Sequence, residues 1–340
     1  DTMKSKYVEF TGKNQVEVKE EEISTDNLGP WEVVVENEAS LVSAGTELSR
    51  LLGMEIGGPG FPARPGYASI GRIKMKGDAV NDYEVGDRVF YAGKHCSVQR
   101  FEHGQNHMWG RLYQVPEGIS SIDATYCCLA EIALTAPFLS EISLNDTVAV
   151  FGLGTIGNLC AQLYKIAGCT VIGLDPVKSR GDLAKKVGIS NIIDAAPDKQ
   201  VEALLEATGG KGADITVDVV GHSGVVCNCI KGAKGYGQVV LLGTPRAPHE
   251  GDMTVPFQDI HMKCITVRGA HMWQMPAMEL VEQKCTVPWA YKTVFDYMLD
   301  GRLQVEPLRS HVVKPEEASK IYDGLQNDRE TYTSVVFDWS

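Results

Sequence analysis

The 340 residues suffice for two domains at ~100–200 residues each, and 44% hydrophobic with 22% charged residues is the balance of an ordinary globular chain. The formal net charge of −12 argues against a nucleic-acid binder, whose surface is basic. No apolar run approaches the ~20 residues that span a bilayer, the charged stretch Asp1–Phe10 lacks the apolar core of a signal peptide, and nine cysteines without regular spacing read as buried free thiols of a reducing cytosol. The expectation is a cytoplasmic protein with no membrane partner.

Residues 1 to about 140 read as a β-rich unit. WEVVVENEASLVSAG alternates and turns at Gly45, and GYASIGRIKM and GDRVFYAG are short strands bounded by glycine. Residues 120–140 predict one largely buried helix, kinked before Pro137. From Thr147 the texture changes. TVAVFGLG is a continuous apolar strand, TIGNLCAQLYKIAG a helix stopped by Gly168, TVIGLD a second strand and SRGDLAKKVG a second helix. NIID, ADITVDVVG, GQVVLLG and CITVRGAH follow as further strands, with helices over DKQVEALLEATGG and HSGVVCNCIKGA. Strands buried on both faces and alternating with helices mean an α/β, doubly wound parallel sheet. After about residue 280 the pattern is mixed: a helix near AYKTVFDYML, an extended LRSHVVK, a helix PEEASKIYDGL and a last strand TSVVFDW.

Gly152-Leu153-Gly154-Thr155-Ile156-Gly157 is a GxGxxG that directly follows an apolar strand and opens a helix. The first glycine permits the tight turn, the second lets backbone approach a pyrophosphate, and the third lets helix pack on strand. The helix N-terminus adds free N–H groups and a positive dipole end. Asp175 closes the next strand at the offset expected of a ribose-binding acid. A glycine-rich turn that binds nothing is the competing explanation, and the agreement of strand, helix and acid weighs against it. A carboxylate there repels a 2′-phosphate, so the expected cofactor is NAD (NADH) rather than NADP. Lys178 and Arg180 lie just beyond, as solvated loop charges or adenine-side contacts.

With these elements in place the chain resembles the medium-chain dehydrogenase/reductase superfamily, of the alcohol and polyol dehydrogenase type, nearly end to end. VSAGTEL is similar to the family's Cys-Gly-(Ser/Thr)-Asp segment, RPGYASIGRI to its Gly-His-Glu segment, and EIALTAPF to the segment carrying a cysteine before Thr-Ala. VGDRVF, VDVVG, GQVVLLG and VRGAH match further strands. The resemblance implies a GroES-like β-rich catalytic domain made of residues 1–143 and 285–340, around a Rossmann dinucleotide-binding domain over 144–284. It adds Thr135, Val220, Gly243, Gly269 and Ala270 to the cofactor set, and places His271 on the strand that passes the nicotinamide. Its dimers join sheets at the strand CITVRGA, so a homodimer is expected.

The departures from the family bear on the chemistry. Ala44, Tyr67, Ala68 and Glu131 stand where the family has zinc-site residues, and the structural-zinc lobe, about 93–112, offers only Cys96. Zinc asks for Cys, His or carboxylate ligands, so both metal sites read as absent. His95, His103 and His107 read as loop histidines rather than a substitute cage. Within the superfamily the chain looks most like the zinc-free branch with the bacteriochlorophyllide dehydrogenases and related sugar dehydrogenases.

Without a Lewis acid a side chain must handle the proton. Glu131 is the candidate base, Tyr67 a holder of substrate oxygen, Thr46 the family's proton-relaying hydroxyl and Glu47 its structural neighbour. His95 and Lys94 sit on an expected substrate-facing loop, His95 as rival base; Lys94, His271 and Trp273 are candidate substrate contacts. Such a pocket suits a sugar, cyclitol or similar polyhydroxylated small molecule, whose secondary alcohol and ketone would be interconverted. A quinone or enone reductase, a zinc-dependent polyol dehydrogenase with unrecognised ligands, and a catalytically silent NAD-binding protein stand as alternatives.

Overall fold

The computed structural model describes residues 1–105 and 107–340. In chain order the strands and helices of the first stretch are β1 (Thr2–Gly12), β2 (Gln15–Ser24), β3 (Glu32–Leu41), α1 (Ala44–Leu51), β4 (Ser69–Lys76), β5 (Arg88–Tyr91), β6 (Val98–Glu102), β7 (Tyr113–Gln114) and α2 (Ser121–Ala124). Helix α3 (Cys127–Leu139) leads to β8 (Thr147–Phe151), α4 (Thr155–Ile166), β9 (Thr170–Leu174), α5 (Lys178–Lys186), β10 (Asn191–Ile193) and α6 (Pro197–Ala207). Then come β11 (Ala213–Asp218), α7 (Ser223–Gly232), β12 (Ala233–Leu241), α8 (Thr254–Lys263) and β13 (Thr266–Gly269). The chain ends with α9 (Val287–Leu299), β14 (His311–Val313), α10 (Ala318–Asn327) and β15 (Val335–Asp338).

These elements form two compact units: Asp1–Cys128, Met275–Gly301 and Arg309–Ser340 make the first, Leu129–Gln274 and Arg302–Leu308 the second. The sequence places the junctions at 143/144 and 284/285. In the structure they fall earlier, one of them inside α3, because all but the first two residues of that helix associate with the second unit.

The first unit is β-rich. β1 and β2 form an antiparallel hairpin, its turn eased by Asn14 at φ 55. A second sheet runs in the order β14-β15-β3-β4-β5-β7, with β6 also paired to β3. The C-terminal β15 lies antiparallel to β3, Val336 opposite Leu41. The inward faces of β3, β4 and β5 supply Val33, Val35, Ile73, Val89 and Tyr91 to one buried cluster, as alternation along half-buried strands requires. The buried Tyr126 hydroxyl hydrogen-bonds Ser334 Oγ at 2.7 Å across 208 residues of chain.

In the second unit β8–β13 make a parallel sheet of order β10-β9-β8-β11-β12-β13. Ala149, Phe151, Ile172, Leu174 and Val239 are buried in its core, which explains the unbroken apolar runs. The strand order reverses between β8 and β11, and in such sheets ligands bind outside the carboxyl ends of the strands at that point. The fold is thus mixed α/β, a Rossmann-like parallel sheet and a separate β-rich unit.

Two local expectations are corrected. The helix expected over 120–140 breaks at Thr125–Tyr126 rather than before Pro137, which lies inside α3 without ending it. Ser120 Oγ accepts from Asp123 N at 3.1 Å and caps the short α2. The stretch Ser121–Leu139 is also longer and more apolar than the sequence reading allowed. By length and composition it could cross a membrane, but 67% of it is buried inside the protein, as a core helix is. All nine cysteines are free thiols, six of them buried (Cys96, Cys127, Cys128, Cys160, Cys169, Cys229) and Cys264 exposed.

Candidate active site

The turn after β8 has the geometry its glycines predicted. Gly152 sits at φ +100, closed to most side chains. A Cβ on Gly157 would lie 1.8 Å from Gly152 O, so the first turn of α4 packs against backbone and only glycine fits. A Cβ on Gly154 would meet nothing within 4 Å. That position is open toward space, as a backbone that must approach a pyrophosphate requires. Gly154 caps α4 without a side chain, so no side chain takes the N–H groups at the start of Thr155, Ile156 and Gly157.

Asp175, at the end of β9, is buried. Its Oδ2 accepts from Leu153 N at 2.8 Å and its Oδ1 from Val177 N at 2.8 Å, while Arg180 Nη1 approaches Oδ2 at 3.5 Å. The carboxylate therefore braces the glycine turn from below as well as standing at the expected ribose position. Oδ1, with a single donor, retains a second lone-pair direction for a ligand hydroxyl. After β11, Asp218 plays a similar part that the sequence reading missed: its Oδ1 accepts from Val220 N at 3.0 Å and Gly221 N at 3.2 Å. Burial pushes the Asp218 carboxyl up to about 6. This turn leaves the Val220 side chain exposed. A Cβ on Gly243 would come within 2.5 Å of Gly221 N, which holds the loops after β11 and β12 in direct contact. Ala270 N donates to Leu241 O at 2.9 Å beyond β13. His271 and Trp273 follow, edge to face at 4.7 Å, with Trp273 69% exposed. The second unit thus brings Gly152–Gly157, Asp175, Arg180, Val220, Gly243 and Gly269–Trp273 to the carboxyl end of one sheet.

Also in this unit, on α3, Glu131 is wholly buried, and neither carboxylate oxygen has a hydrogen-bond partner among the described residues. Burial alone pushes its carboxyl up to about 8, the direction expected of a charge removed from water. Thr135, one turn on, is buried and hydrogen-bonds the Glu131 carbonyl at 3.4 Å.

In the first unit, α1 carries Thr46, Glu47 and Arg50, a helix the Ala-Gly-Thr spelling had concealed. The Tyr67 hydroxyl hydrogen-bonds Ser43 Oγ and the Thr46 side chain. Burial, followed by Cys128, raises the phenol well above its usual range, so it remains neutral. Its ring meets Trp109 edge-on at 5.1 Å. Lys94 is half-buried, and burial, with Arg50 next in effect, lowers its ammonium.

His95 is a correction. It does not face an open loop: it is fully buried, with Nδ1 2.7 Å from Ser40 Oγ and Nε2 2.5 Å from Glu47 Oε1. Trp339 Nε1 donates to the same Ser40 Oγ at 2.8 Å. The indole can only donate, so the serine accepts from it, and a carboxylate such as Glu47 can only accept. Nε2 then carries the ring proton and donates to Glu47. Both nitrogens are committed, and His95 holds Glu47 instead of serving a substrate. His103 is likewise occupied, Nε2 3.0 Å from Asp82 and Nδ1 accepting from Leu112 N. Among the described residues no group of three or more His, Cys, Asp or Glu is placed to hold a metal ion.

Residues 155–283 match the family model for zinc-binding dehydrogenases. The chain is 31% identical over 190 residues to D-guloside 3-dehydrogenase of Escherichia coli K12, covering 55% of this chain and 53% of that protein. It is 27% identical over 229 residues to L-threonine 3-dehydrogenase of Bacillus licheniformis, covering 67% and 60%. The matches thus span little more than half of these relatives' lengths. In fold it is similar to 2R,3R-butanediol dehydrogenase from Bacillus subtilis, with a TM-score of 0.78 at 20% identity over 98% of this chain and 99% of that one. A Rossmann-like parallel sheet and a β-rich unit form the common fold, and these matches support the resemblance to the medium-chain dehydrogenase/reductase superfamily.

His95→Ala should cost about 3 kcal/mol of stability, since it strips a buried carboxylate of its donor. Urea unfolding measures this. A loss below about 0.5 kcal/mol would mean that the Trp339–Ser40–His95–Glu47 chain does not hold this unit together.

Proposed function

We propose that the chain is an NAD(H)-dependent oxidoreductase that interconverts a secondary alcohol and a ketone on a sugar, cyclitol or similar polyhydroxylated small molecule, without zinc. The observation that carries this reading is Glu131, a carboxyl at a family metal-ligand position, buried and left without any donor. A group so placed costs stability unless it has a task.

In the oxidation direction the Glu131 carboxylate takes the hydroxyl proton as the carbinol C–H bond breaks, and the ketone results; in reduction the protonated carboxyl returns it. When bound, NAD supplies the acceptor of the hydride. Gly152, Gly154, Thr155, Ile156 and Gly157 would cradle its pyrophosphate, and Asp175 its ribose. Val220, Gly243, Gly269 and Ala270 would line its path, with Thr135 beside them. The open position at Gly154 and the uncapped start of α4 fit that group. Tyr67, a neutral phenol held by Ser43 and Thr46, is suited to hydrogen-bond the substrate oxygen. Lys94, His271 and Trp273 are the remaining proposed substrate contacts.

The residues do not fit a zinc ion. Ala44 and Ala68 have no donor atom, and the Tyr67 phenol is held far from ionisation with its oxygen already hydrogen-bonded. Protein purified without chelator should contain well under one equivalent of zinc by elemental analysis. Stoichiometric zinc with chelator-sensitive activity would revive the zinc-dependent alternative. The edge strand β13, with Val267 exposed, is the expected junction of a homodimer.

NAD(H) should bind more tightly than NADP(H) by about 2–3 kcal/mol, because a 2′-phosphate would face Asp175 and forfeit a charge-assisted ribose contact. Titration of both cofactors by nicotinamide fluorescence tests this. Equal affinities that become unequal in Arg180→Ala would mean that the guanidinium 3.5 Å from Asp175 prevails.

Glu131→Gln should lower turnover by ~10²–10⁴ with cofactor affinity nearly unchanged. Alcohol oxidation by the parent protein should rise with pH through an inflection near 8, where the carboxyl loses its proton, and the variant should lack that inflection. The stability effect has the opposite sign. A carboxyl raised above its unfolded value of 4.5 binds its proton more tightly in the fold, so the parent loses stability as pH climbs from there toward 8. Glu131→Gln should therefore be the more stable form at pH 8. A variant with parental turnover and pH profile would remove Glu131 from the mechanism.

A further inference from the structure

Two basic side chains of the first unit, Arg50 and Lys94, feel one another's charge, and among the described residues an ion pair is formed by Arg50 and not by Lys94. Arg50 forms a two-pronged pair with Glu55, Nε to Oε2 at 2.8 Å and Nη2 to Oε1 at 3.1 Å. Glu47, the carboxylate of α1, is bonded through Oε1 to His95, and its Oε2 is buried without a partner among the described residues. Lys94 has no hydrogen bond or ion pair from its ammonium among the described residues, although it is half-buried and lies within the fields of both Arg50 and Glu47. Arg50 in turn lies within the field of the Tyr67 hydroxyl.

The backbone around Lys94 is pinned. Its N–H donates to Gln99 Oε1 at 2.9 Å, and the carbonyls of Gly93 and Lys94 both accept from Ser69 Oγ. Gly66, at φ +108, packs so closely that a Cβ there would lie 3.0 Å from the Lys94 carbonyl carbon and 2.6 Å from His95 N. This seats the segment carrying Tyr67 directly against the one carrying Lys94. A lysine stem held in this way, with an ammonium partly withdrawn from water and no partner, is a charge awaiting an anion.

We propose that Lys94, backed by Arg50, binds an anionic group of the substrate, a carboxylate or a phosphate ester, so that the molecule acted on is an acidic polyhydroxylated compound rather than a neutral polyol. This deepens the reading of Tyr67 and its neighbours as substrate contacts and rests on it for the word substrate. Binding of the anion itself does not depend on that reading. One oxyanion oxygen would accept from the Lys94 ammonium, with Arg50 adding its field while keeping its Glu55 pair. No covalent step is involved.

The test uses the intact chain, with Lys94→Met and Lys94→Arg. Calorimetric titration with sodium phosphate and with sodium D-gluconate measures anion binding without any turnover, and their order of affinity tells which oxyanion is preferred. Turnover is then compared across a neutral polyol, its aldonic acid and its phosphate ester by NADH fluorescence. In the parent protein at least one anion should bind, and kcat/KM should favour an acidic substrate over the neutral one by about 10- to 100-fold, the range of one charge-assisted hydrogen bond. Lys94→Met should abolish the binding and collapse the ratio; Lys94→Arg should keep most of both. Binding that disappears in Lys94→Met, without turnover of any compound, would uphold the anion site and defeat the dehydrogenase reading. Turnover of neutral polyols with no preference for acids and no binding of either anion would overturn the anion site and leave the dehydrogenase reading standing. Should Lys94→Met fail to fold, as judged by NADH binding, the anion titration and substrate ratio of the parent and of Lys94→Arg decide the matter alone.

Discussion

A carboxylate withdrawn from water has to be answered by a donor or it gives up its charge. Three acidic side chains of this chain show how differently that demand is met. Asp175 is met by two backbone N–H groups and the edge of a guanidinium, and the reward is a braced glycine turn. Glu47 is met at Oε1 by the His95 imidazole, while its Oε2 has no partner among the described residues. Glu131 has no hydrogen-bond partner at either oxygen among the described residues. The first two have donors that hold their charge; the third keeps its proton up to about pH 8, because burial favours the neutral form.

The cofactor turn obeys a different constraint, that of space. Gly157 is required because backbone fills the place of a side chain, and Gly154 is suited because nothing does. The same residue type thus serves opposite ends within four positions. The empty direction at Gly154 and the absent side-chain cap on α4 point the same way, toward an anion approaching along the helix axis. Asp175 braces the Leu153 peptide of that turn.

Much of this was legible in the sequence. The central strands β9, β8, β11 and β12 announce themselves because they are largely buried and therefore apolar, and the edge strands β10 and β13 by their place in the strand–helix alternation. Asp175 was singled out by its distance from the glycines and Glu131 by its place in EIALTAPF; the structure adds that both are buried. What the sequence hid is whatever depends on distant chain coming back. His95 looks like a loop residue in GKHCSVQRF, which has no period; it is buried because β15 returns beside β3 and brings Trp339 to Ser40, 299 residues away. Helix α1 was hidden because Ala44-Gly45-Thr46 spells a turn, and the break at Thr125–Tyr126 because apolar composition alone does not mark where a helix stops.

These hidden contacts bear on the one charge left open in the β-rich unit. Glu47 and Lys94 lie within reach of one another's fields, and two opposite charges so placed would ordinarily close into a pair. They do not, and the reason lies upstream. The indole of Trp339 fixes the serine, the serine fixes the imidazole, and the imidazole proton draws the Glu47 carboxylate toward the interior. Arg50 is taken by Glu55 on the other side. His95 thus holds only one oxygen of Glu47, whose Oε2 is buried without a partner among the described residues. On the anion-binding proposal this buried network acts only by holding Glu47, much as the glycine at 154 leaves a volume open by having no side chain.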